Sequence, residues 1–334
     1  MEITPEVRAQ LDEQKKQCIF CKIISGEMEC KLVFEDETVA AYLDIYPAIK
    51  GHTLFMLKEH YPIMPYIPAN EFKHYFGLIP SLTEAVKDSI IATGANVFIA
   101  NGGVAGQQSG HFLLHIFPRE QGDGFFNFWL NKRNEILPSE QVTMLANNLP
   151  IMMNNHFGRN PAPWHSGKGE TMHVPGTVIY EDEKVIVSVP EKGVTKGHIE
   201  IYSKEEDRNI ENLSQESSSH LFYVASFAAT AVFEGLGAQG TNIIAKSGNS
   251  DDNEGRLVIH ILPRSAEDGL NDTLLWKPGQ PTYDLDQVAS TVKDKTWKIA
   301  YKETEEEKPT VKSVSSGSAE EEIQKAIQDA GGSN

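Results

Sequence analysis

Short apolar runs and polar positions follow the same order twice along this chain. The segment Leu32–Glu37 has three apolar residues followed by three acidic ones, and Val178–Glu183 repeats that pattern 146 residues later. Further on, His115–Arg119 corresponds to His260–Arg264 with an offset of 145 residues. Chance would not preserve this order over so long a span, so the sequence indicates a tandem duplication.

Each copy predicts an α+β domain. The patterns indicate a hairpin of short strands, a third strand, one long helix and two further strands, about five antiparallel strands in all. The first helix is predicted from Asn70 to Gly94 with a kink at Pro80, and the second from Ser217 to Gly235. Joined edge to edge, the two sheets would form a pseudo-dimer within one chain and remove exposed strand edges.

Boundaries follow from the same patterns. We expect an N-terminal helix or extension (1–17), a first domain (18–130), a connector (131–175) with one helix from Ser139 to Met153, a second domain (176–300) and an acidic disordered tail (301–334). A protein partner held by that tail is one alternative to a merely solvated terminus.

Composition and charge restrict the classes of binding partner that the sequence predicts. Hydrophobic residues make up 40% of the chain and charged residues 23%, with no apolar run of the ~20 residues that a membrane span needs. The charged N-terminus lacks the apolar core of a secretory signal, which favours a cytoplasmic location. A net charge of −17 disfavours nucleic acid and anionic membranes. Small phosphorylated molecules remain possible, because one short pocket can bind them.

The three cysteines are Cys18, Cys21 and Cys30. An odd number near one end argues against a disulfide framework, whereas the two-residue spacing of Cys18 and Cys21 is typical of a metal knuckle. A redox pair or two structural thiols are the alternatives.

In the segment Ser109–Arg119, strand periodicity places His111, Leu113 and His115 on one face. Together with Cys18–Ile24 and Gly51-His52-Thr53, this segment resembles the histidine triad family of nucleotide hydrolases and transferases. The resemblance covers roughly residues 18–125 and, more weakly, 176–270.

In that family, three histidines alternate along the strand and the resemblance implies that the middle one attacks the α-phosphate. Here the middle position is Leu113, and in the second copy the trio is Arg256, Val258 and His260. An aliphatic side chain has no lone pair, so the covalent route is closed in both copies. Moving the attack to a neighbouring histidine would shift the nucleophile by about 6.5 to 7 Å.

The resemblance implies further roles in the first copy. Asp44 would take the ribose hydroxyls, His52 would lie by the phosphate, and Asn101 and Gln107 would belong to the polar loop there. His115 would donate to a phosphate oxygen, although it could also simply fill the strand face. The implied zinc ligands are Cys18, Cys21, His60 and His111. The second copy has no cysteine and carries Glu206 in place of His60 and Pro190 in place of Asp44, so only one zinc is expected.

These residues predict a purine-nucleotide-binding protein without nucleotidyl-transfer activity. Two alternatives stay open. One is a phosphohydrolase of dinucleoside polyphosphates or nucleoside phosphoramidates that uses water positioned by His52 or His115. The other is a structural pseudoenzyme whose second copy and acidic tail make the contacts.

Overall fold

A computed structural model describes residues 5–120, 123, 133–155, 172–248 and 256–299. We call residues 18–130 the first half and 176–300 the second half. The expected acidic tail (301–334) lies outside the described residues. Within the described part of the chain, no helix has the length and apolar character needed to cross a membrane.

Ten strands form one continuous antiparallel sheet in the order β1-β2-β3-β5-β4-β9-β10-β8-β7-β6. The strands of the first half are β1 (Lys31–Glu35), β2 (Val39–Leu43), β3 (Thr53–Leu57), β4 (Gly94–Asn101) and β5 (Leu113–Arg119). Those of the second half are β6 (Thr177–Glu181), β7 (Val185–Val189), β8 (Ile199–Ser203), β9 (Gly240–Gly248) and β10 (Val258–Arg264). The order is a palindrome, which confirms the predicted pair of five-stranded halves.

The two halves meet at β4 and β9, which pair antiparallel along their whole length from Gly94↔Gly248 to Asn101↔Thr241. Side chains also cross the junction. The Lys87 ammonium pairs with the Glu211 carboxylate, and the Ser218 hydroxyl donates to the backbone carbonyl of Phe76 at 2.7 Å. The pairing leaves neither inner strand with an open edge, so the pseudo-dimer prediction is confirmed.

The described residues include the α-helices α1 (Pro5–Gln17), α2 (Ile19–Ile24), α3 (Ala69–Gly77), α4 (Ile79–Ile90), α5 (Ser139–Asn155), α6 (Gln215–Leu236), α7 (Asn271–Leu274) and α8 (Leu285–Lys293). The single long helix predicted for each half exists only in the second half, as α6. In the first half it is interrupted at Leu78, and Pro80 stands at the start of α4, where its missing N–H is tolerated.

The predicted helix ends were also partly wrong. In the second half the left-handed residue that ends α6 is Gly237 (φ 68°) and not Gly235. In the first half α4 ends at Ile90, with Ile91 left-handed at φ 60°, and Gly94 already belongs to β4. The helix expected from Ser139 to Met153 extends to Asn155 as α5.

Two helices pack on the half to which they do not belong. The connector helix α5 lies against β6 and α6 of the second half, while α8, near the end of the second half, lies against β1 and α4 of the first half. The hydroxyl of Thr296, just after α8, donates to the carbonyl of Val33 on edge strand β1 at 3.2 Å. Each half is therefore packed against a helix from outside its own residue range.

Candidate functional site

Four side chains of metal-ligating type meet in the first half. Cys18 and Cys21 lie at the start of α2, His60 follows β3, and His111 precedes β5. The Sγ atom of Cys21 lies 3.3 Å from Nδ1 of His60 and 3.6 Å from Nδ1 of His111, and Sγ of Cys18 lies 3.7 Å from Nδ1 of His111. All four ligand atoms fall within 4.8 Å of one another, so the structure brings the four predicted metal residues together.

The spacing suits a tetrahedral ion. With zinc–sulfur bonds of about 2.3 Å and zinc–nitrogen bonds of about 2.0 Å, neighbouring ligands should lie about 3.3 to 3.8 Å apart. His111 is oriented for this role, because its Nε2–H donates to the carbonyl of Leu57 at 2.8 Å and leaves the Nδ1 lone pair facing the sulfurs. This Cys₂His₂ set could hold a metal ion.

The pKa values of the two thiols also favour a metal site. Burial raises the pKa of Cys18, but the adjacent rings of His111 and His60 outweigh it and lower that pKa to about 5. Burial and the neighbouring Cys18 raise the pKa of Cys21. One thiolate therefore forms readily, and the second needs the compensating charge that a divalent cation brings.

A cavity of about 370 Å³ opens beside this cluster. Along β5 the side chains of Leu113 and His115 face it, as the strand alternation predicted. Other lining side chains come from the first half (Tyr42, Asp44, Gln107 and His111) and from the second half (Leu275, Trp276 and Pro278).

The buried His52 and the half-buried His115 form a hydrogen-bonded pair at the end of the cavity. The N–H of Ala48 donates to Nδ1 of His52 at 3.3 Å, so the proton of the neutral ring is on Nε2, which donates to Nδ1 of His115 at 2.9 Å. Burial lowers the pKa of His52 well below its ordinary value and that of His115 to about 3. His115 is therefore neutral at pH 7, with its Nε2–H left for a ligand.

Asp44 lies next to this pair, with Oδ2 3.3 Å from Nδ1 of His52 and Oδ1 accepting from the N–H of Tyr46 at 2.8 Å. Burial raises the pKa of the Asp44 carboxyl. The carboxylate lines the cavity and keeps acceptor positions for a hydroxyl.

The two polar loop residues have structural partners. Gln107 accepts from the N–H of Gly102 and donates to the carbonyls of Pro62 and Ser109, all within 2.9 Å, so its amide fixes the glycine loop. The Asn101 amide donates to the Thr241 hydroxyl of the second half at 3.2 Å and lies outside the cavity lining.

Sequence patterns do not identify the residue that covers the histidine pair. Trp276, which follows α7 of the second half, places its ring centroid 4.8 Å from that of His115 and 5.5 Å from that of His52. No motif marks this tryptophan, since only the pairing of the halves brings it over the first-half site.

The second half keeps the histidine pair and replaces the metal cluster. Nε2 of His198 lies 3.1 Å from Nδ1 of His260, and the N–H of Val194 donates to Nδ1 of His198. Glu200 is the third member of this group and could complete a metal-binding set. However, Nδ1 of His198 already accepts a hydrogen bond, so its Nε2 carries the proton, and the contact between the rings needs no ion.

Comparison with known proteins identifies the repeated unit. A family model described as the HIT domain matches residues 25–122 and 171–267. An uncharacterized HIT-like protein of Methanocaldococcus jannaschii is 45% identical over 107 residues, which are 32% of this chain and 82% of that protein. The adenosine 5′-monophosphoramidase of Schizosaccharomyces pombe is 34% identical over 102 residues, 30% of this chain and 74% of that enzyme.

Solved structures match one half at a time. The zinc-bound histidine triad family protein from Mycobacterium smegmatis is 31% identical and covers 33% of this chain and 81% of its own, with a TM-score of 0.31. Since the family model matches both halves and together more than half of the residues, this chain belongs to the HIT domain family.

Proposed function

We propose that the first half binds a purine nucleotide in its cavity and does not transfer the nucleotidyl group through a covalent intermediate. Membership in the HIT family and the similarity to an adenosine 5′-monophosphoramidase support the choice of ligand. The observation that carries the proposal is Leu113, an aliphatic side chain that faces the cavity between His111 and His115.

Neither flanking histidine offers a replacement nucleophile. Nε2 of His111 donates to the carbonyl of Leu57, and its Nδ1 lies among the cysteine sulfurs. In His115, Nδ1 accepts from His52, which leaves only the protonated Nε2 toward the cavity. A protonated ring nitrogen has no lone pair for attack on phosphorus, so the family's covalent step has no nucleophile here.

The remaining residues have binding roles in this proposal. The Asp44 carboxylate accepts hydrogen bonds from ribose hydroxyls, and the Nε2–H of His115 donates to a phosphate oxygen. Gln107 holds the glycine loop in position. Cys18, Cys21, His60 and His111 would hold zinc, which would supply a structural link between α2 and the segment before β5.

The test combines binding and turnover on metal-analysed protein. Calorimetry with AMP, ADP and GMP measures binding, while adenosine 5′-phosphoramidate and a dinucleoside polyphosphate serve as substrates. We expect binding without turnover in the natural chain, and turnover in the Leu113→His variant. Absence of binding to folded protein would exclude the proposal, and turnover by the natural chain that is lost in His115→Ala would favour a hydrolase that uses water directly.

A further inference from the structure

We propose that the first-half cavity recognises the uncharged nucleoside part of its ligand, so that a purine nucleoside binds at least as tightly as its 5′-monophosphate. This inference rests on the proposed function, because it takes a purine nucleoside moiety as the occupant of the cavity. It narrows the ligand to the class of neutral nucleosides and of nucleosides with an uncharged 5′ substituent.

Charge is the first reason. The described residues that line the cavity include two carboxylates, Asp44 and Glu29, and neither Lys nor Arg. The whole chain carries a net charge of −17. A phosphate that enters this cavity therefore meets repulsion at short range from the lining and at longer range from the rest of the protein.

The histidines of the cavity do not compensate for those carboxylates. Burial lowers the pKa of His115 to about 3, so that side chain is a neutral donor with one N–H to offer. A phosphate dianion loses a strong hydration shell on entering a cavity, and the uncharged donors that line it, His115 with Gln108 and Ser109, replace only part of that shell.

The metal cluster does not supply positive charge either. His111 faces the cavity, but both its ring nitrogens are engaged, one with the carbonyl of Leu57 and the other with the sulfurs of Cys18 and Cys21. Two thiolates balance the charge of a divalent cation. The cluster therefore leaves no net positive field toward the cavity, whether or not it holds zinc.

The wall next to His115 is apolar. Leu113 packs on a cluster that contains Tyr42, Leu54 and Met56 on β2 and β3, with Phe20 and Ile23 of α2 beside them. Such a surface favours groups that lose little on dehydration, such as a purine ring or a sugar face. The replacement of a histidine by Leu113 thus removes a donor and extends this apolar wall toward the phosphate end.

Calorimetric titration of the full chain with adenosine and with AMP tests the inference. We expect adenosine to bind about fivefold more tightly at low ionic strength. The affinity for AMP should rise as salt increases from about 20 to about 200 mM, because salt screens a repulsion, while the affinity for adenosine should not change.

A matched pair of exposed carboxylates sharpens the test. Glu29 lines the cavity, whereas Glu27 on the same loop bonds to Ser25 and lies outside it. Glu29→Gln should raise the affinity for AMP about twofold and leave adenosine binding unchanged. Glu27→Gln should change neither.

The outcomes separate this inference from the proposed function. Tighter binding of AMP than of adenosine, or an affinity for AMP that falls with added salt, would overturn the inference and leave nucleotide binding intact. Failure of both ligands to bind the folded chain would overturn the two together.

Discussion

The two halves share one backbone arrangement and differ in the side chains that occupy the position of the metal cluster. In the first half Cys18, Cys21, His60 and His111 converge on one point. In the second half Arg256 occupies the position of His111, donates to the carbonyl of Lys204 at 2.7 Å and reaches the Glu206 carboxylate at 3.4 Å. The Glu206 side chain is 89% exposed, so this ion pair contributes little to stability.

Both halves keep the hydrogen-bonded histidine pair, with a backbone N–H donating to the first ring in each case. Asp44 stands beside the pair in the first half, and its position in the second half is taken by Pro190. The pair is therefore retained where that carboxylate is lost. This difference indicates that the pairing of the two rings does not depend on that carboxylate.

The sheet surface beneath each site differs as well. On the two strands that flank β5 and β10, Leu54 of the first half corresponds to the buried Glu200 of the second half, and Ala100 corresponds to the buried Lys246. Glu200 accepts a hydrogen bond from Tyr202 at 2.7 Å. The first half has an apolar floor suited to a ligand, whereas the floor of the second half contains buried charged side chains.

Metal removal should reveal the largest difference between the halves. With free zinc at about a thousand times its dissociation constant, binding to the native state alone stabilises the chain by about 4 kcal/mol. Cys21→Ser should lose that stabilisation and the bound metal, while Cys30→Ser, outside the cluster, should keep both. Denaturant unfolding with metal analysis measures the two, and equal unfolding free energies for both variants would contradict the structural role of the ion.

A histidine introduced at the middle position of the strand should have different effects on turnover in the two halves. Leu113→His should raise turnover of adenosine 5′-phosphoramidate by about two orders of magnitude over the natural chain, because it supplies a nucleophile beside Asp44 and His115. Val258→His places the same side chain at the matching position of the second half, where Pro190 replaces Asp44, and should leave turnover at the natural level. Steady-state turnover rates of the two variants measure this. Equal increases in turnover would mean that both halves retain a working site.

Removing the ring that accepts the hydrogen bond in either histidine pair should lower the free energy of unfolding by about the same amount. His115→Ala and His260→Ala each leave the partner ring without its acceptor, which should lower the free energy of unfolding by about 1 to 3 kcal/mol. Only His115→Ala should weaken ligand binding. Denaturant unfolding and calorimetry measure the two effects, and a loss of binding in His260→Ala would show that the halves are coupled.

A histidine–aspartate pair links a helix to a hairpin in each half. Substitutions in these pairs should give the smallest difference in stability between the two halves. Burial acts to raise the pKa of Asp182, but the hydrogen bond from His220 at 2.7 Å, the charge of that ring and the backbone N–H groups of Lys184 and Val185 together outweigh it and lower that pKa. Asp36 and His74 show the same balance at a more exposed site. Because the folded pKa is lowered, the stabilisation is present above the unfolded pKa of about 3.9 and is lost as pH falls through the folded value.

We therefore expect Asp182→Asn to destabilise the chain by about 1 to 2 kcal/mol at pH 6 and Asp36→Asn by less than about 1 kcal/mol. The difference from the natural chain should shrink as pH falls below about 4. Denaturant unfolding at several pH values between about 3 and about 6 measures this difference in unfolding free energy. A difference that does not change with pH would mean that the carboxylate's charge has no part in it.

Much of the fold could be predicted because its signals are local. The alternation of apolar and polar residues defines each strand, and the repeat of that alternation defines the two halves. The same period of two places Leu113 and His115 on one face of β5, so the face of this strand that lines the cavity could be identified from the chain alone. The spacing of Cys18 and Cys21 likewise predicted a metal site.

Other features were decided only by contacts between distant parts of the chain. Whether Gln107 and Asn101 face a ligand or hold the backbone depends on the neighbours they meet, here Gly102 for one and Thr241 of the other half for the second. The break between α3 and α4 occurs next to Gly77, where an added Cβ would lie 3.3 Å from Gln215 of the second half.

The cavity itself is the clearest case. By itself the sequence determined the repeat, the strand faces and the cysteine pair of the metal site, because each of these depends on spacing along the chain, while the resemblance to the histidine triad family implied the other two ligands. Only the tertiary structure brought Trp276 over the first-half histidines, since that contact joins residues 161 positions apart, between His115 and Trp276, through the β4–β9 junction. Long-range pairing of this kind is set by the burial of whole surfaces, and no local pattern records it.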